Sequence, residues 1–270
     1  MPQSSAGQAA QTGQAGEIGQ VGTLQGEASV TRGNTAAVAL KIKDSIFKND
    51  VLSTGANSSL GITFDDETTF SLSANTRIVV NDFVYEENGQ SNAASIAVKA
   101  GTAAFVASLV AKTGTMKITT PVATLGIRGT TGVVDVPQGG AAAGAEEPRI
   151  KLYPDTDGHV GQIDVFNLQG GQLGVLNQGA SAFALRAGAG GRFQAIPFQI
   201  PPQEAARDRG VLQRLFAAHN IGRRMARERL RARGFNRQRF NRNQRGGGEH
   251  PRGGGEHPQG RGNGSRRGRR

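Results

Sequence analysis

The chain has 270 residues, enough for one large or two small domains with a real core. It contains no Cys, which excludes a disulfide framework, a thiolate nucleophile and a Cys-ligated metal, and no apolar run reaches the ~18 residues of a membrane-spanning helix. The net charge of +11 is segregated: residues 1–203 hold 13 Lys+Arg against 16 Asp+Glu, whereas residues 204–270 hold 19 Arg, no Lys and 5 Asp+Glu, so a nearly neutral body precedes a basic tail.

Residues 1–17 are mostly Gln, Ala, Gly, Ser and Thr, with little to bury. They read as a disordered leader, without the basic start and apolar centre of a signal peptide. From 18 to 200 the pattern is short strands. Leu60, Ile62 and Phe64 alternate with Gly61 and Thr63, and Asp65-Asp66-Glu67 forms a polar corner. Phe70 and Leu72 follow, Ala74-Asn75 turn the chain, and Ile78 and Val80 resume the period of two. One apolar face, one polar face and turns of Asp, Asn, Gly and Ser are strand chemistry. Further strands are expected over 95–99, 103–106, 116–119, 130–136, 162–166, 181–185 and 192–196, with a loop over 138–148. Over 105–112 strand and helix patterns compete. Turns recur every ~8–12 residues, which predicts an all-β fold. Its expected form is short stacked, solenoid-like antiparallel strands, or alternatively a β-sandwich.

Several short runs, in order, resemble the FecR-domain family. Phe47-Lys48-Asn49-Asp50-Val51-Leu52-Ser53-Thr54-Gly55 resembles its entry with a Thr-Gly turn. The run from Leu60 to Leu72 resembles its central hairpin, with Glu67 where Gly is expected. Asn75-Thr76-Arg77-Ile78, Asp82-Phe83-Val84-Tyr85 and Lys99-Ala100-Gly101-Thr102 fit the following strands. Pro121-Val122-Ala123-Thr124-Leu125-Gly126-Ile127-Arg128-Gly129-Thr130 is similar to its most diagnostic run, which ends in an Arg-Gly-Thr turn. The resemblance spans residues 18–136, with related strands to 200. It implies an extracytoplasmic, periplasmic β-rich module and brings no catalytic residues or cofactor. The family's namesake relays a signal to a sigma factor through a cytoplasmic helical segment and a membrane helix. Neither is seen in this sequence, so that role is not expected here.

Other constellations read as structural. Asp65-Asp66-Glu67 project to alternating faces and do not converge on one ion, so a solvated turn is expected. Asp155-Thr156-Asp157-Gly158 opens like a calcium loop, but His159 and Phe166 stand where ligands are needed, so it is read as a β-turn. The glycine-flanked Arg128 turn lacks a following helix N-terminus to bind an anion, and Arg128 can equally pair with a carboxylate of the fold. Only His159 of the four histidines lies in the body, so no catalytic triad is credible and no enzyme is expected.

Pro201-Pro202 closes the body. Residues 203–219 read as an amphipathic helix with Val211, Leu212, Leu215 and Phe216 on the face that docks on the domain. Gly222 weakens it, and a very basic helical stretch continues to 233. From 234 to 270 a disordered Arg/Gly-rich tail is expected. Phe235-Asn236-Arg237 recurs as Phe240-Asn241-Arg242, and Arg245-Gly-Gly-Gly-Glu-His-Pro251 recurs at once. Glu249-His250 and Glu256-His257 are read as no metal site. Arginine grips phosphate and carboxylate bidentately, so the expected polyanion contacts are Arg223, Arg224, Arg227, Arg229, Arg231, Arg233, Arg237, Arg239, Arg242, Arg245, Arg252, Arg266, Arg267, Arg269 and Arg270. The expected partner is an anionic polymer, a cell-envelope component or an acidic protein. Alternatively, Phe235 and Phe240 stack on bases and the protein is a cytoplasmic nucleic-acid binder.

Overall fold

The computed structural model describes residues 16–87, 89–139, 146–188 and 191–245, the stretch 232–245 as backbone alone. Two compact units divide the chain, Met1–Leu230 and Arg231–Arg270. The first is built from two stacked β-sheets.

The first sheet runs in the order β4 (Ser45–Ile46), β1 (Gly19–Gln25), β6 (Ser59–Phe64), β7 (Thr69–Leu72), the second half of β9 (Ala93–Val106), β12 (Thr131–Val136), β13 (Arg149–Tyr153), β16 (Ser181–Ala187) and β17 (Phe193–Pro197). The second runs β3 (Val38–Ala39), β2 (Ala28–Thr31), β5 (Val51–Thr54), β8 (Arg77–Val84), the first half of β9, β10 (Thr115–Thr119), β11 (Thr124–Arg128), β14 (Gln162–Phe166) and β15 (Gln172–Leu176). All pairings are antiparallel except β9 with β10. The chain shuttles between layers every one or two strands, so the expected short, stacked strands form a two-layered body.

β9 belongs to both layers. The sequence suggested two strands here, 95–99 and 103–106; they are one strand bent at Gly101, whose φ is +86°. A Cβ at Gly101 would sit 2.4 Å from Thr76 Oγ1, so only glycine lets the strand cross. Strand and helix patterns competed over 105–112 because both are present: β9 ends at Val106 and the short α1 (Leu109–Thr113) follows.

Between the layers lies one continuous core. Leu60, Ile62, Phe64, Phe70 and Leu72 enter it from the first sheet, and Leu52, Ile78, Val80, Phe83 and Ile96 from the second. Every core position expected between Leu60 and Val80 is buried. Alternation with a period of two fixes this, since a one-residue slip would turn the whole set away from the core between the layers.

The outer face of the first sheet is covered by the part of α2 (Pro202–Arg245) that precedes Arg231. Val211 and Leu215 bury against Ala104, Val106 and Val133, with Leu212, Phe216 and Tyr153 at the margin, the docking expected of this face. Further along, contact is through small residues: Ala218 and Ala226 are buried. The sequence suggested a weakened helix at Gly222, yet α2 is unbroken there. A Cβ on Gly222 would fall 1.8 Å from Thr63 Oγ1, and one on Gly61 2.7 Å from the Ala218 Cβ. Gly222 thus permits close approach of helix to sheet, at the ~1 kcal/mol a helical glycine costs. The helix also outruns its expected end at 233, because 235–245 contains no Gly or Pro and four of its eleven residues are Arg, a good helix former. Residues 246–270 of the expected tail lie outside the described residues, as do 1–15 of the leader and 140–145 of the loop.

Among the described residues no helix is long and apolar enough to cross a membrane.

Candidate functional site

The seam between α2 and the first sheet gathers most of the buried charge. Lys151, central on β13, is fully buried. Its ammonium lies 2.7 Å from Asp135 Oδ2, 2.7 Å from Glu204 Oε1 and 2.8 Å from Asp208 Oδ2. Tyr153 Oη donates to Asp208 Oδ2, and Arg149 Nη1 to Glu204 Oε2 at 2.7 Å. Burial disfavours the ammonium, but the three carboxylates more than compensate and hold Lys151 above its ordinary pKa. Burial likewise opposes ionisation of Glu204; Lys151 and Arg149 outweigh it and pull that carboxyl below its usual range.

The second cluster is the corner Asp65-Asp66-Glu67. The sequence suggested a solvated turn. It is a turn, but Asp65 and Asp66 are buried. Asp66 accepts hydrogen bonds from Thr68 N (2.9 Å), Thr68 Oγ1 (2.6 Å) and Val110 N (3.0 Å). The last is an orphan amide at the start of α1, so Asp66 caps a helix 44 residues away that has no side-chain cap of its own. Burial dominates these bonds and raises the Asp66 carboxyl above its ordinary pKa. Glu67 takes the left-handed conformation (φ +70°) where the family expectation was glycine.

Three of the expected polyanion contacts end at this corner. Arg223 Nε donates to Glu67 Oε2 at 2.9 Å, Arg227 Nε to Glu67 Oε1 at 2.6 Å, and Arg229 Nη2 to Asp65 Oδ1 at 2.7 Å. Arg229 also lies 3.5 Å from Glu17, a residue assigned to the leader. Burial opposes ionisation of Glu67, but Arg227 and Arg223 override it and lower its pKa. His219 Nδ1 lies 3.0 Å from Thr69 Oγ1, and burial, then Arg223, push the imidazole below its ordinary value. Arg224 and Arg231 are exposed. Arg233, Arg237, Arg239, Arg242 and Arg245 lie on α2 where backbone alone is described. Arg252, Arg266, Arg267, Arg269 and Arg270 lie outside the described residues.

These shifts give the seam a pH window. Glu67, Glu204 and His219 have depressed folded-state pKa values, so each contributes stability above its unfolded pKa that is lost as pH falls through the folded one. Lys151 is raised, and its contribution is lost only as pH rises through its folded value. Asp66, raised, works against the acid loss. Acidification from pH 7, first through the imidazole range and then on below the ordinary glutamate value of 4.5, is therefore expected to lower hydrogen-exchange protection factors over 204–229 before those of β6. Equal loss in both segments would show that the helix is not held by these charges.

The described residues contain no group of three or more His, Asp or Glu placed to hold a metal. No curated protein matches the chain. Two crystal structures of a candidate anti-sigma factor from Parabacteroides distasonis align with it at 13% identity and a TM-score of 0.39, covering 55% of this chain and 60% of that one. The chain thus spans less than two thirds of that protein's length. Residues 50–148 match the family model described as FecR protein. The match opens at β5, not at residue 18. It holds the acidic corner and the Arg128 turn but neither β13 nor α2. From residue 50 to 148, therefore, this chain carries a FecR domain, set within a larger two-layered body.

Proposed function

We propose that the protein is an extracytoplasmic, non-enzymatic interaction module that grips anionic polymers through its arginine-rich C-terminal segment. The FecR domain supports the extracytoplasmic placement and the interaction role. The observation that carries the polyanion reading is the position of the charge. Residues 231–270 hold twelve Arg and two Glu, while residues 1–230 hold 20 Lys+Arg against 19 Asp+Glu. Ten of the eleven net charges thus follow the boundary between the two units. Arg223, Arg227 and Arg229 already pair with carboxylates of the body, so the contacts shift to the arginines beyond them. Arginine without Lys favours bidentate contact with phosphate, sulfate or carboxylate groups.

The test compares the full chain with one ending at Leu230, which keeps the docked helix, on a heparin column. The full chain is expected to elute at clearly higher salt, because each phosphate- or sulfate-like contact releases counterions. Elution at the same salt would leave the segment without a binding role. The second reading, a nucleic-acid binder, is favoured by Phe235 and Phe240 among the arginines. Binding of single-stranded DNA about a hundredfold more tightly than heparin at the same salt, with the gain lost when Phe235 and Phe240 are both replaced by Ala, would replace the first reading with the second.

A further inference from the structure

On the outer side of the second sheet, where α1 meets β10, β11 and β14, lies a cleft of about 710 Å³. It contains the Arg128 turn, which the charge seam leaves unused. Leu125 and Ile127 of β11 point into the core, so Gly126 and Arg128 face outward. Asp164, almost buried on β14, accepts Arg128 Nε at 3.1 Å through Oδ2 and Gln162 Nε2 at 2.7 Å through Oδ1. Both of its oxygens are thus occupied, and Arg128 is steered through Nε alone. Its Nη1 and Nη2 donors make no hydrogen bond among the described residues, and the side chain is 72% exposed. A guanidinium fixed at one edge, with the other edge open to solvent, suits an incoming carboxylate or phosphate.

A second cation joins it. Lys112, in the last turn of α1, lies across Gly129: a Cβ there would be 3.4 Å from Lys112 Cγ and Cε. Gly129 (φ +48°) both makes the turn and leaves room for this stem. Lys112 is exposed, and no carboxylate of the described residues pairs with it. The one carboxylate lining the cleft, Asp164, is spent on Arg128, so the cleft carries surplus positive charge. Thr115 and His159 also line the cleft, and its apolar surface comes from Phe166 and Ala111. Phe166 lies over Gly126, its Cε2 3.6 Å from where a Cβ would be, and the backbone of β10 and β11 floors the cleft beside it.

We infer that this cleft binds an organic anion, whose carboxylate or phosphate sits on the open edge of Arg128 beside Lys112 and whose apolar body rests against Phe166. The site is on the folded body and is independent of the C-terminal segment.

The test titrates the full chain with octanoate, octyl phosphate and octanol, following the backbone amides of Gly126, Gly129 and Phe166 by NMR. At least one of the two anions is expected to shift these amides saturably and more tightly than octanol. Preference for octanoate identifies a carboxylate ligand, and preference for octyl phosphate a phosphate ligand. Arg128→Gln and Lys112→Gln are each expected to weaken binding about tenfold or more, the scale of a lost charge-assisted hydrogen bond. Arg128→Lys should recover only part, since an ammonium lacks the planar fork. Lys112→Gln alters an exposed residue without an ion pair, so it separates binding from folding. No saturable shift at these amides, equal affinity for octanol, or unchanged affinity in Lys112→Gln would each overturn the inference. None of these outcomes bears on heparin retention, which reads the other segment.

Discussion

Phe64→Ala is expected to destabilise the protein by about 3–5 kcal/mol, read as a shift in the midpoint of urea unfolding at constant slope. Phe64 ends β6 and is buried. Its ring stacks on Phe83 of the opposite layer, with centroids 4.9 Å apart, and meets Phe70 edge-on at 6.1 Å. Phe70 continues the chain of rings to Phe105 at 5.8 Å. Opposite Phe64 in the register is Gly19, where a Cβ would come within 3.0 Å of the ring, so β1 has no side chain there to fill a void. Truncation therefore removes the transfer free energy and leaves a cavity between layers already fixed by β9. A loss under about 0.5 kcal/mol, the scale of surface sites, would mean that β6 has a different register.

The strands from β6 to β8 are legible in the sequence because their signal is local. Leu60, Ile62, Phe64, Phe70, Leu72, Ile78 and Val80 write the period of two directly, and the family motifs fall on the same stretch. What sequence reading missed depends on partners far along the chain. β13 reads Arg-Ile-Lys-Leu-Tyr, and a central Lys argues against a strand buried on both faces; Asp135 on β12 and, more than fifty residues later, Glu204 and Asp208 explain it. The corner at 65–67 looks solvated because its cap role serves α1 and its arginines arrive from α2. Three consecutive acids carry no mark of which cations will meet them. Gly222 is ambiguous in the same way. A glycine that breaks a helix and one that admits a neighbouring threonine are the same letter, and the difference lies in Thr63 across the interface. One local signal was available: Asp66-Glu67-Thr68 has the spacing of an Asx-turn, which ties the carboxylate to its own backbone and argues against free solvation.

Lys151→Ala is expected to remove about 3–5 kcal/mol, the cost of breaking a buried ion pair from one side. The substitution leaves Asp135, Glu204 and Asp208 facing each other with one ammonium gone, and Arg149 near only Glu204. Two of the three carboxylates sit on α2, so the molecule has a way to relieve the repulsion. The first turns of the helix can leave the sheet and let Glu204 and Asp208 hydrate. That release gives up the small apolar contact of Val211 and Leu215 with Ala104, Val106 and Val133. If docking is worth less than the electrostatic penalty, the cost to global unfolding is capped at the docking free energy, and the helix frees itself while both sheets stay folded. The two routes separate by hydrogen exchange: protection over 204–216 collapses in the variant, whereas the amides of β6 and β12 keep theirs. Lowering pH partly rescues Lys151→Ala, because protonating the stranded carboxylates removes the repulsion, whereas the parent protein loses helix protection over the same range. A variant that loses less than about 1 kcal/mol, the range of an exposed ion pair, and retains full protection over 204–216 would show that the apolar contact alone holds α2 on the sheet.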